Sequence, residues 1–107
     1  MKNRDRTDPK DGAASKSLRL RLYVAGDSPN SAAALTNLRA VIAEHPEQEL
    51  SLDIVDVLEH PQRGLSDAVL VTPTLIRIEP LPERRVIGSL RDKAALLAAL
   101  GLETLSP

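Results

Sequence analysis

Ser28 and Ser31 bracket a proline and an asparagine in the stretch AGDSPNSAAAL, residues 25–35. The stretch joins an apolar strand-like run to a helix-like one. Two side chains at this spacing on a first helical turn can act together on one bond. If both were cysteine, they could exchange thiol for disulfide. Serine forms no disulfide, and its hydroxyl is far harder to ionise than a thiol. The positive end of a helix favours a nearby anion by only about 0.3–1 kcal/mol at exposed sites. That is too little to make an alkoxide. The whole chain contains no cysteine. Ser28 and Ser31 therefore read as helix caps, with Pro29 at the first helical position, where a missing N–H is needed least.

The other candidates for chemistry are weaker. His45 sits at a predicted helix end and His60 precedes a proline. Neither has neighbours at metal-ligand spacing, so no metal is expected. Asp53 and Asp56 are three apart on a strand and point to opposite faces, which excludes a carboxylate dyad. No glycine-rich phosphate loop occurs, no catalytic group of residues emerges, and no cofactor is expected. The arginines stand out instead. Arg19, Arg21 and Arg77 fall on strands opposite the aliphatic positions, and Arg84 and Arg85 on a neighbouring hairpin. If the strands lie together, these side chains could cluster and dock an acidic partner. Equally, they could snorkel, with stems covering the sheet and heads in water.

The elements that must position these residues follow from periodicity. Residues 18–25 (LRLRLYVA) alternate, with Leu18, Leu20, Leu22 and Val24 on one face, which predicts a strand. Leu35, Leu38 and Ile42 at helical spacing predict a helix to about His45, stopped by Pro46. Residues 50–57 predict a second strand. Residues 59–70 carry a turn at His60-Pro61 and a weak helical pattern. Residues 74–79 predict a third strand, Pro80-Leu81-Pro82-Glu83 a turn, and residues 84–88 a short fourth strand. Residues 92–100 predict a helix, ended by Gly101. Residues 1–17 are polar, with five basic and three acidic residues. They bury too little to offset ordering and predict a disordered tail. The expected domain spans residues 18–102, with a short tail at residues 103–107.

Composition narrows the function classes. The 107 residues suit one domain, and 42% are apolar. Tyr23 is the single aromatic residue, so base stacking on nucleic acid is disfavoured. The net charge of −1 gives no general pull toward nucleic acid or anionic lipid. No apolar run approaches the roughly 18 residues needed to span a bilayer, and no signal segment is expected. A cytoplasmic location, without nucleic-acid or membrane partners, is expected.

The element order, with Thr72-Pro73-Thr74 before the third strand, resembles the thioredoxin fold, whose proline at that point is cis and lies beside the redox helix. More closely, Leu22-Tyr23-Val24-Ala25-Gly26, Ser28-Pro29-Asn30-Ser31, Asp56-Val57-Leu58 with Pro61-Gln62, Thr72-Pro73-Thr74-Leu75 and Arg84-Arg85 before Ile87-Gly88 resemble the KaiB family of circadian-clock proteins. The resemblance implies an α/β, thioredoxin-like βαβαββα fold with a four-stranded mixed sheet. The alternative is the family's ground-state βαββααβ arrangement. It implies a non-enzymatic regulator that binds the hexameric ATPase KaiC and modulates its phosphorylation cycle. Family members also switch fold, and self-association as a dimer or tetramer stays open. The second strand, expected at a sheet edge, contributes to the KaiC interface in the family; the matching residues are Ser51 and Asp53. Family members often carry a basic residue at the position of Asp53. Arg19, Arg21, Arg77, Arg84 and Arg85 complete the expected partner-binding set. Ser28, Pro29, Thr72, Pro73 and Gly88 are expected to shape turns and caps.

Two departures from the family bear on switching: one proline fewer in the residue 80–83 turn, and Ser89 where an aspartate is common. The strong helical propensity of residues 92–100 favours the thioredoxin-like arrangement. The competing function is a glutathione-dependent enzyme of thioredoxin fold. Such enzymes usually need a second, helical domain, which a single domain of this length is not expected to hold. A third is a signalling or stress module whose partner is not KaiC.

Overall fold

Alternation of leucine with polar residues makes β1 (Leu18–Val24) the centre of the molecule. The computed structural model describes residues 17–102, so nearly all of the expected N-terminal tail and all of residues 103–107 lie outside it. After β1 come α1 (Pro29–Ala43), β2 (Leu50–Asp56), α2 (Pro61–Ser66), β3 (Thr74–Glu79), β4 (Arg84–Ile87) and α3 (Lys93–Leu100). The sheet order is β2-β1-β3-β4. β1 and β2 run parallel, with Leu18 beside Leu50 and Val24 beside Asp56. β3 is antiparallel to both β1 and β4. This is the thioredoxin-like βαβαββα arrangement with a mixed sheet.

The alternation gives each face its own core. Leu18, Leu20, Leu22 and Val24 pack with Leu75 against Ala34, Leu38 and Val41 of α1 and Leu96 and Leu100 of α3. Tyr23, Val55 and Ile76 form a smaller cluster on the opposite face, with Val57, Val69 and Ile78 against it. The short α2 lies on that second side. Its Gly64 comes so near the residue following β2 that a Cβ there would stand 3.2 Å from a Val57 methyl.

Helix ends follow local chemistry. Pro29 opens α1. The helix stops at Ala43, two residues before the expected end. Pro46 disfavours helical geometry at His45, so the last turn closes earlier. Asp92 caps α3 by accepting from Ala95 N at 3.0 Å. Gly101 ends it in the left-handed conformation, φ 73°. Gly88, after β4, has φ 106°, and its N–H donates to Pro73 O at 2.9 Å. A Cβ at Gly88 would meet nothing within 4 Å. Gly88→Ala should therefore cost about 1 kcal/mol through backbone strain alone, read as a lower midpoint in urea unfolding.

Candidate functional site

The Ser28–Ser31 turn is built to hold itself. Ser28 occupies the N-cap position, but its hydroxyl makes no cap hydrogen bond, contrary to the sequence expectation. It donates instead to Ser31 Oγ at 2.9 Å. Ser31 is buried and accepts from Ala25 N at 3.1 Å. The second serine thus reaches back to the end of the strand and competes successfully for its neighbour's proton. Both hydroxyls serve the β1–α1 junction. Ser31→Ala should cost about 1 kcal/mol, because Ala25 N loses its acceptor; Ser28→Ala should cost less. Thermal unfolding of the two variants checks the asymmetry. Across the sheet, the Thr72–Pro73 bond is cis. Among the described residues no group of three His, Cys, Asp or Glu side chains could hold a metal.

On the α2 face the arginine positions become a charge network. Arg21 Nε donates to Asp53 Oδ2 at 3.0 Å, and its Nη1 to Asp67 Oδ2 at 3.0 Å. Arg63 Nη2 reaches Asp53 Oδ2 at 2.5 Å. The Tyr23 hydroxyl lies 2.5 Å from Asp67 Oδ2 and 3.0 Å from Arg63 O. A phenol has one proton, and the shorter, charge-assisted contact takes it. The hydrogen bond from Tyr23 lowers the Asp67 pKa against the effect of burial, with Arg21 adding to it. Burial opposes ionisation of Asp53, but Arg63 and Arg21 outweigh it and the pKa falls. Burial, then the bond to Asp67, raises the pKa of Tyr23. The network ties β1 and β2 to α2. Periodicity gave no sign of Asp67 or Arg63, because their roles depend on contacts from remote strands.

The arginines do not form one basic patch. Arg77 shares the face of Leu75, opposite Arg21, and is 8% exposed. Its Nη2 donates to Pro82 O at 2.7 Å. A Cβ on Gly101 would lie 3.5 Å from its Nη1, so the guanidinium sits at the C-terminal end of α3, where a cation is favoured. The expectation that Arg77 joins Arg19 and Arg21 is thus corrected: the strand pleat sends it inward. Arg19 pairs with Glu79 at 3.5 Å and Arg85 with Glu83 at 2.8 Å, both at the surface. Arg84 is exposed on β4. Arg21 is neutralised within the network. Ser51 is exposed on β2, which is an outer strand of the sheet, as expected.

Asp56 braces the far end of the sheet. Its Oδ1 accepts from Gly26 N at 3.0 Å and from Leu58 N at 2.9 Å, joining the loops after β1 and β2. Next to them several large apolar side chains stand in solvent: Leu58, Leu65, Leu70 and Val71. In the sequence Leu58 belongs to a family motif and Leu65 to the weak helical pattern, and neither feature announces an exposed apolar group.

The fold and the cysteine-free turn define a class: a thioredoxin-like domain whose redox positions are structural. The solved N-terminal domain of Synechococcus elongatus SasA superimposes with a TM-score of 0.67 at 24% identity, covering 95% of this chain and 98% of that one. Mitochondrial thioredoxin 3 of Saccharomyces cerevisiae follows with a TM-score of 0.65 at 18% identity, covering 78% and 76%. At these identities the likeness concerns the fold. The family model of the KaiB domain matches residues 21–102, and the chain belongs to the KaiB family. The circadian clock oscillator protein KaiB of Prochlorococcus marinus is 44% identical over 90 residues, 84% of this chain and 86% of that protein. Its counterpart in Synechococcus elongatus is 43% identical over 83 residues, 78% and 81% respectively. The protein is a clock-type regulator and not an enzyme. Among the described residues no helix is long and apolar enough to cross a membrane.

Proposed function

We propose that this chain regulates a KaiC-type hexameric ATPase by docking to it in the thioredoxin-like arrangement, and thereby modulates its phosphorylation cycle. The observation that carries the proposal is the place of β2 at the rim of the sheet, with backbone groups along its outer side directed away from any described strand. An edge strand can pair with a partner's backbone. Ser51 stands on that strand, and Asp53 holds it to α2 through Arg63. Arg19, Arg84 and Arg85 are further surface contacts for the partner. Arg77, buried beneath α3, is not. The proposed setting is the cytoplasm, with no cofactor, and with nucleic acid and membrane excluded as partners; self-association through the same surfaces would compete with docking.

The competing glutathione-dependent enzyme has no support at this turn, because Ser28 and Ser31 spend their hydroxyls on each other and on Ala25. Size-exclusion chromatography with a KaiC-type hexamer and nucleotide separates the two. Co-elution is expected. Elution of this chain alone, together with glutathione conjugation that Ser28→Ala abolishes, would overturn the proposal.

A further inference from the structure

The end of the sheet where β1 and β2 finish carries an unusual combination of surfaces. Leu58, Leu65 and Leu70 are 71%, 76% and 92% exposed, with Val71 beside them. Monomeric proteins rarely leave large apolar side chains grouped in water without use. Here Leu65, Leu70 and Val71 border a hollow of about 350 Å³ floored by Val57 and Val69. The hollow opens next to Thr72, just before the cis bond to Pro73.

Charge around this end is one-sided. Residues 25–28, 57–60 and 67–73, which form the three loops there, contain Asp27, Glu59 and Asp67 and no lysine or arginine; the adjoining cation, Arg63 of α2, is paired with Asp53. Asp27 and Glu59 make no ion pair with any described residue, whereas Asp53 and Asp67 are both neutralised. The loops are also held in place. Asp56 accepts from both Gly26 N and Leu58 N, and Leu58 lies against Gly26, where a Cβ would be 3.3 Å away. A surface fixed before binding loses little freedom on docking.

We propose that this groove docks an extended segment of a partner protein that presents an apolar side chain flanked by lysine or arginine. The apolar side chain fills the hollow between Leu65, Leu70 and Val71. The flanking cations meet Asp27 and Glu59, which steer the segment and select against acidic ones. An anionic membrane is disfavoured by the same carboxylates. The proposal concerns a different surface from the outer side of β2 and does not depend on hexamer docking there.

The test is an amide-resonance titration of the full chain with the blocked peptide Ac-Gly-Lys-Leu-Val-Arg-Gly-NH2 and with its counterpart carrying Glu for Lys and Arg. Saturable shifts at Leu58, Leu65, Leu70 and Val71 are expected with the basic peptide and not with the acidic one. Asp27→Asn with Glu59→Gln should weaken binding roughly fivefold. Leu65→Ser with Leu70→Ser, both exposed, should abolish it while the rest of the spectrum keeps its dispersion. Equal affinity for the two peptides, or no saturable shift at the groove, would overturn the proposal. So would groove resonances that move on dilution of the protein alone, which would assign the face to a second copy. Shifts there with phosphatidylglycerol vesicles and not with peptide would assign it to lipid, and would overturn it equally.

Discussion

Asp67→Ala should lower folding stability by about 2 kcal/mol, a fall in Tm of roughly 8–16 °C for a domain of this size. The substitution removes the acceptor of a Tyr23 hydroxyl that is 1% exposed, and one of the two carboxylates holding Arg21. Tyr23 can turn to Arg63 O, which limits the loss. The effect has a pH signature. The folded pKa of Asp67 lies below its usual value, first because of Tyr23 and then Arg21. A depressed carboxylate stabilises above its unfolded pKa, about 3.9, and the contribution fades as pH falls through the lower folded value. Asp53 behaves alike. The stability gap between the natural chain and Asp67→Asn should therefore be full at pH 6 and shrink on going to pH 3. Tyr23 has the opposite sign. Its raised pKa keeps the phenol protonated in the fold, and its contribution is lost only as pH rises above about 10. Urea titrations at a series of pH values measure both limbs.

The larger loss is expected from Leu96→Ala, about 3 kcal/mol. Leu96 is fully buried and, with Leu100, seats α3 on Leu75 and the leucines of β1. Against a typical total of about 5–15 kcal/mol, this is a large share of stability. Amides of residues 93–100 should then exchange faster than those of β1, as α3 loosens first. Leu70→Ala provides the contrast. It removes the same atoms from a side chain in water, and should change stability by less than about 0.5 kcal/mol. Chemical unfolding of both variants reads the difference directly.

What the sequence disclosed was what local chemistry controls. The leucine alternation of β1 predicted both a strand and its buried face. Pro29, Asp92 and Gly101 marked helix ends correctly, because each acts on its own backbone. The SPNS turn and Thr72-Pro73 stood out only through the family resemblance; the sequence permitted a cis bond at Pro73, and the structure has one. Arg77 was misplaced although its signal was present. It shares parity with Leu75 in TLIRIE, and that parity, more than its charge, decides the face. The network of Tyr23, Arg21 and Asp67 was not legible. Its members are 44 and 46 residues apart, and only the sheet register and the position of α2 bring them together. The exposure of Leu58, Leu65, Leu70 and Val71 was not legible either. Periodicity reports which side chains could be buried, and these four stay in solvent because no described element covers them.

If this sulfur-free thioredoxin-like domain works by offering the outer side of β2 to a partner, that strand is where binding must register. Hydrogen–deuterium exchange of the protein, alone and bound to a KaiC-type hexamer with nucleotide, reads it strand by strand. Binding should slow exchange along residues 50–56 while β1, already paired on both sides, changes little. Unchanged exchange along residues 50–56 in a complex that demonstrably forms would contradict it.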